Sequence, residues 1–376
     1  MATVREVTGW LESAYPPALA EDWDRVGLAV GDPDAEVGHV HFAVDVTDAV
    51  IAEAVAAGAH LLVTHHPLLL RGIHAVRTDQ PKGRLVTALL RAGIAQFAAH
   101  TNADSAPEGV AEALASACGL SDLRPLRPVP SGPLDKVVTF VPTADAEAVI
   151  DALAAAGAGA IGDYERCAFT ATGTGTFRPL EGAQPTIGSV GAIERVEEVR
   201  VEMVLPRGRR DAVVAALRAA HPYEEPAFDV LELAPEASDR GLGRIGQLPK
   251  PVTAREFARR VAAAVPATAG GVKLGGDPDR LVETVAVLGG AGDSLLDAVR
   301  AAGVDAYVTG DLRHHVAQDF LAHDGAPVLV DVPHWAAEWT WLPLAQRVLD
   351  RAAADAGVRV GSTVSRIVTD PWSARF

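Results

Sequence analysis

Histidine and carboxylate side chains stand at three separated places in a pattern that could hold metal ions. His65 and His66 lie in VTHHPLLL, His100 and Asp104 in HTNAD, and His334 and Glu338 in DVPHWAAE. His334 and Glu338 are four residues apart, so a helix carries both on one face, where imidazole and carboxylate can grip one ion. Taken singly, such motifs are common without a metal. Taken together, His65, His66, Asp104, His334 and Glu338 form a mixed nitrogen and oxygen set suited to zinc, iron or manganese. Five protein ligands exceed what one closed tetrahedral site uses. Adjacent His65 and His66 do not easily converge on one ion, whereas each can serve its own with a carboxylate bridging, so two divalent metal ions per subunit are expected.

Elements of alternating type must bring these residues together. From Val40 the strands HFAVDV, HLLVT and AQFAAH are separated by the helical stretches AVIAEAVAAGA, which Thr47 and Asp48 can cap, and GRLVTALLRAGI. Strands spaced by helices in this way form βαβ units and a parallel sheet. Ligands bind such sheets beyond the carboxyl ends of the strands, which is where the HH and HTNAD motifs fall. The last hundred residues repeat the plan with VETVAVLGG, DAYVTG and PVLVDV as strands. The long stretch WAAEWTWLPLAQRVLDRAAADAG then reads as one helix before a final strand near VRVGSTV.

Between these layers, LRPLRPVPSGPL carries prolines at 125, 128, 130 and 133 and reads as a linker, because proline continues neither a helix nor a central strand. Beyond it the order strand, helix, strand, strand, helix, strand predicts a ferredoxin-like βαββαβ unit. The expected fold class is therefore α/β: two α/β layers with parallel-rich sheets forming a metal-binding core, interrupted by an inserted ferredoxin-like domain. The boundaries follow as residues 1–129 for the N-terminal half of the core, 130–238 for the insertion and 239–376 for the C-terminal half. GLGRIG at Gly241–Gly246 spells GxGxxG. It runs into QLPKP instead of opening a helix, so it reads as a tight loop and not as a dinucleotide site.

Composition narrows the function classes. The 376 residues exceed one ordinary core, which predicts two or three domains. A net charge of −16 repels a nucleic-acid backbone, which disfavours DNA or RNA as a partner. The opening residues MATVREVTGWLESAYPP show no basic and apolar leader, and no apolar run approaches a membrane span, so neither secretion nor a membrane partner is expected. Cys118 and Cys167 form no disulfide or CxxC framework, which suggests reduced thiols and a cytoplasmic location.

Several signatures occur in fixed order: WDRVGLAVG at 23–31, VTHHPLLL at 63–70, HTNAD at 100–104, HPYEEPAFD at 221–229, GLGRIG, AYVTGDLRHH and DVPHWAAE. Together they make the chain similar, over nearly its full length, to the dinuclear-metal hexameric proteins related to NGG-interacting factor three, often labelled GTP cyclohydrolase 1 type 2 homologues. The resemblance implies a toroidal homohexamer, a trimer of dimers, with metal pairs on its inner wall and inserted domains over its openings. It implies one metal held by His65, Asp104 and Glu338 and the other by His66, His334 and Glu338. His100 and His315 would stand close by, either supporting the ligands from behind or facing substrate. Two positions depart from the pattern: Pro333 stands where glycine is usual, and Arg25 where asparagine is common.

Two functions of different class are compatible with these residues. In a hydrolase acting on a nucleotide or another phosphorylated small molecule, metal acidifies water for attack on purine C8 of GTP or on a phosphoester. There His100 or His315 would be the catalytic proton carrier, since imidazoles exchange protons near neutral pH. The alternative is a non-catalytic metal-binding regulatory or scaffold protein, in which the inserted domain reads a small molecule or a partner.

Overall fold

The computed structural model describes residues 2–129, 132–235 and 238–376. The chain separates into two compact units, Pro130–Ala237 and a larger one assembled from Met1–Val129 and Ser238–Phe376.

The larger unit contains two mixed sheets. One has strand order Gly361–Val364, His39–Ala43, Leu61–Thr64, Ala95–Ala98 and Gly27–Val30, with the first four parallel and the last antiparallel. The other runs Lys273–Gly275, Val328–Asp331, Ala306–Gly310, Leu281–Ala291, Gly241–Thr253 and Ser121–Pro128. Its three parallel strands, Val328–Asp331, Ala306–Gly310 and Leu281–Ala291, are flanked by antiparallel ones. LLVT and AYVTG are buried at every residue, as strands covered on both faces must be, which is why they read as apolar runs without alternation. Each half lends the other an edge: the C-terminal strand Gly361–Val364 pairs with His39–Ala43, and the N-terminal strand Ser121–Pro128 pairs with Gly241–Thr253. One core cluster accordingly draws Phe42 and Phe97 from the first sheet and Val287 and Val308 from the second, together with Phe257 and Trp341.

Three local expectations need correction. LRPLRPVPSGPL is not linker throughout, because Ser121–Pro128 is a strand. It lies at the sheet edge, where a proline that donates no hydrogen bond is tolerated. GLGRIG is not a loop but the start of the strand Gly241–Thr253. Its glycines permit close pairing: a Cβ on Gly241 would stand 2.2 Å from Arg127 O, and Gly243 has φ +67°. The long C-terminal helix is two, His334–Trp339 and Leu342–Asp355, with Pro343 in the first turn of the second, where its missing N–H costs nothing.

The smaller unit orders its elements as strand Leu134–Pro142, helix Ala146–Ala155, strands Phe169–Phe177 and Glu194–Pro206, helix Arg210–Ala220 and strand Phe228–Glu232. The sheet order is fourth, first, third, second, and all neighbours are antiparallel. Val141, Val149, Leu153, Val201, Met203 and Leu217 give this unit a core of its own.

Candidate metal centre

The sequence delivers His65 and His66 directly after the buried strand LLVT, and the helix Thr101–Ser105 delivers Asp104 after the next strand, Ala95–Ala98. His334 opens the helix His334–Trp339, with Pro333 as its N-cap residue, and Glu338 follows one turn later. Proline before the first helical residue leaves this helix start intact, so the exchange at position 333 does not displace the His334–Glu338 pair. His334 Nε2 lies 2.8 Å from Glu338 Oε1.

All five residues converge. His65 Nε2 is 3.4 Å from Glu338 Oε1 and 3.7 Å from Asp104 Oδ1, while His66 Nε2 is 3.0 Å from Glu338 Oε2 and 3.3 Å from His334 Nε2. The other ring nitrogens are occupied. His65 Nδ1 bonds the Ala99 carbonyl at 2.9 Å, His66 Nδ1 the Asp45 carboxylate at 2.7 Å and His334 Nδ1 the Asp311 carboxylate at 2.7 Å. With each Nδ1 donating to an oxygen, each Nε2 is the nitrogen turned inward, whose lone pair becomes available once its proton leaves, the arrangement by which carboxylates and carbonyls orient metal-binding imidazoles.

The strongest local sign is a deficit. Among the described residues, His65 Nε2, Asp104 Oδ1 and Glu338 Oε2 are buried atoms with no hydrogen-bond partner. Glu338 Oε2 lies near His66 Nε2, but the orientation makes no hydrogen bond of it. Three unmatched donor atoms in one place would be costly in a metal-free interior and are what a cation would satisfy. The residues therefore fit divalent metal.

Charge tells the same story in the metal-free protein. Burial opposes charging of His66 and His334, yet the Glu338 carboxylate and hydrogen bonds to Asp45 and Asp311 outweigh it and raise them to about 10 and about 11. Burial alone would raise Glu338, but His66, His334 and His65 around it hold its carboxyl well below the ordinary range. Asp104, buried without a hydrogen bond to the oxygen facing His65, is pushed up to about 7.

Sequence reasoning missed the supports. Asp45, Asp24 and Asp311 come from three different loops. Asp24 accepts from His100 Nδ1 at 2.8 Å and from Thr101 N at 3.0 Å, tying the WDRVGLAVG motif to HTNAD. The His100 ring thus faces the centre, 5.1 Å from that of His65 and 5.5 Å from that of His66, and its nitrogen groups with theirs. His315 is not brought in. It is exposed on the first turn of the helix His314–Leu321 and packs its ring on His314. Gly290, with φ +71°, was missed as well: a Cβ there would stand 2.5 Å from Glu338 Oε1 and 3.3 Å from His334 Nε2. The GG ending of VETVAVLGG was its signal. Arg244 of GLGRIG, nearly fully buried, donates to Ala106 O at 2.8 Å just past the helix that bears Asp104.

The centre is closed on the His65 side and open on the other, where a cavity of about 340 Å³ is lined by His66, His334, Lys273, Asp331 and the C-terminal residues Thr369 and Trp372. No helix among the described residues is long and apolar enough to cross a membrane.

Comparison with known proteins places the chain in a family. The family described as Duf34/NIF3 (NGG1p interacting factor 3) matches residues 2–371. A Mycobacterium tuberculosis protein named GTP cyclohydrolase 1 type 2 homolog is 53% identical over 369 residues, covering 98% of this chain and 96% of its own. A Bacillus subtilis protein of the same name is 42% identical over 317 residues, 84% of each chain. Among solved structures, a Bacillus cereus protein related to NIF3 is 38% identical with a TM-score of 0.77, covering 99% of this chain and 98% of that one. A Staphylococcus aureus protein is 27% identical with a TM-score of 0.85, covering 100% and 99%.

Proposed function

Since this chain belongs to the Duf34/NIF3 family, we propose that it binds two divalent metal ions per subunit and acts as a hydrolase on a nucleotide or another phosphorylated small molecule. The observation that carries this reading is the convergence of His65 Nε2, Asp104 Oδ1 and Glu338 Oε2, buried and without partners. In this reading His65, Asp104 and Glu338 would hold one ion, and His66, His334 and Glu338 would hold the other. Zinc, iron and manganese all suit the donor set. Ions held there would supply Lewis acidity to an electrophilic phosphorus or carbon and would acidify water.

The chain's own residues do the rest. Asp45 and Asp311 fix the His66 and His334 rings, and Asp24 fixes His100 so that its second nitrogen can hold or pass a proton at the centre. The open side beside His66 and His334 is where a substrate would enter, past Lys273, whose ammonium is paired with Asp331. His315, exposed and outside the cluster, has no part in this scheme. The name carried by the relatives makes ring opening of GTP with release of formate one candidate reaction, and phosphoester hydrolysis the other. We further propose a cytoplasmic homohexamer, a trimer of dimers closed into a toroid, with the smaller unit as an inserted ferredoxin-like domain.

The test incubates protein loaded with zinc, iron or manganese with GTP, following formate, and with a panel of phosphoesters, following phosphate. Turnover that disappears in Glu338→Ala supports the hydrolase. Full metal occupancy with no turnover on either panel would favour a metal-binding regulatory protein instead.

A further inference from the structure

The smaller unit holds a second cavity, of about 650 Å³, remote in sequence from every metal-centre residue and within the size range of small-molecule sites. Its lining is mostly apolar and aromatic, with Phe140, Phe177 and Tyr223 in the wall and Glu198 among the polar groups. We propose that it binds a small organic cation, a protonated amine on an aromatic or aliphatic body, with Glu198 as the anchoring carboxylate.

Glu198 carries the argument. It is only 8% exposed, forms no ion pair among the described residues and yet lines the cavity. One oxygen accepts the Tyr223 hydroxyl at 2.9 Å, and burial together with Glu198 raises the Tyr223 phenol above its ordinary value, which keeps it a donor. A carboxylate buried to this degree without a cation is costly, and an ammonium group in the cavity would relieve that cost through charge-assisted hydrogen bonds. Two guanidinium groups, those of Arg178 and Arg200, also line the cavity, and neither is paired with Glu198 among the described residues. Arg200 donates to Glu202 Oε1 at 2.8 Å and lies over the Phe140 ring.

The seat is built by the sequence of the edge strand. In FTATGTGTF, a Cβ on Gly175 would stand 2.0 Å from Glu198 Oε2, so the glycine vacates the space the carboxylate occupies. The body of the ligand meets the Phe177 and Tyr223 rings, 5.7 Å apart and inclined at 60°, whose faces attract a cation and pack an apolar group. HPYEEPAFD thereby acquires a role. His221, bonded to Phe140 O at 2.9 Å and accepting from Tyr223 N at 3.1 Å, holds Tyr223 in the wall.

Calorimetric titration of the full-length, metal-loaded protein with benzylammonium, benzoate and benzyl alcohol tests the assignment, since the three share a ring and differ in charge. Benzylammonium is expected to bind with a Kd below about 10 mM, at least about tenfold tighter than either comparator. Glu198→Gln should weaken it about tenfold or more by removing the charge, and Gly175→Ala should do the same by displacing the carboxylate while leaving it in the chain. Unchanged metal content and circular dichroism identify variants that remain folded. Benzoate binding as tightly as benzylammonium, no binding of benzylammonium at 10 mM on the scale just given, or full affinity in a folded Glu198→Gln variant would each overturn the proposal.

Discussion

His65 Nε2 stands 3.4 Å from Glu338 Oε1 and makes a hydrogen bond to neither Glu338 nor any other group. The His65 ring is held in place, because its Nδ1 is bonded to Ala99 O and the ring meets Trp341 in an edge-to-face contact, 5.5 Å centroid to centroid. A lone pair fixed in this way and aimed at a carboxylate is preorganised for a cation. The same does not hold across the centre. His66 and His334 remain about a third exposed, whereas His65 is fully buried.

That asymmetry predicts unequal metals. An ion on His65 and Asp104 should leave slowly under a chelator, and one on His66 and His334 quickly. Elemental analysis of variants should follow the same division: His65→Ala and His66→Ala should each lose about one ion per chain, and Glu338→Ala close to two, because it would remove the ligand proposed to serve both ions and the charge that would offset repulsion between them. Glu338→Gln should behave like the alanine variant. A Glu338→Ala protein with the parent's metal content would reject the bridge.

Metal uptake should release protons. In the metal-free protein His66 and His334 titrate at about 10 and about 11 and Asp104 at about 7, so at pH 8 two imidazoles carry protons that binding must displace. Titrations in buffers of different ionisation heat should count about two protons per chain at that pH, with affinity falling as pH falls. Stability of the metal-free protein should move oppositely. These histidines are raised above their unfolded value near 6.5, so their contribution is complete below about pH 6.5 and fades as pH rises through their folded values. Proton-neutral metal binding would contradict the charge state inferred for the cluster.

The convergence of the five candidate ligands was legible because each sits near a strand end or on one helical face, a relation that spacing reveals. Asp24, Asp45 and Asp311 were not, since nothing local ties an aspartate in one loop to a histidine in another. GLGRIG misled for a related reason. Gly241 answers to the backbone of Arg127 and Pro128, more than a hundred residues earlier, and that pairing makes a strand of a loop-like composition. The exchange of edge strands was equally invisible, because each half taken alone accounts for its own alternation of helix and strand.

Gly290 offers a test of the packing around Glu338. Gly290→Ala places a methyl 2.5 Å from Glu338 Oε1 on a backbone at φ +71°, so it should destabilise the protein by about 1–3 kcal/mol and reduce metal content while both sheets persist. Normal metal content in this variant would mean that Glu338 can hold its ions from another rotamer.

In the smaller unit, Asp135 is fully buried and receives Arg207 Nε at 3.0 Å and Arg210 Nε at 2.8 Å, which hold its carboxyl below the ordinary range. Both arginines are about a third exposed, which screens the pair, so Asp135→Asn should cost about 1–3 kcal/mol. Because the folded value is depressed, the contribution is present above the unfolded value of about 3.9 and is lost as pH falls through the folded one. Denaturant melts of parent and variant should therefore converge in strong acid and separate by pH 6. Metal content should not change.

Excision of the smaller unit tests whether it is an insertion in the physical sense. The chain leaves the larger unit at Val129 and returns at Arg240, and these two residues are already joined: Val129 N donates to Arg240 O at 2.9 Å, one step beyond the pairing of Pro128 with Gly241. A two- or three-residue turn can close neighbouring antiparallel strands at that point, so the loop left behind carries little closure entropy. No residue of the metal centre and no member of the main core cluster lies between 130 and 237. A protein with 130–239 replaced by such a turn should fold, bind two metal ions and keep the melting behaviour of the larger unit, while losing the Asp135 contribution and the Glu198 cavity. If the excised protein is soluble but binds no metal, the two units share stability that their separate cores do not reveal.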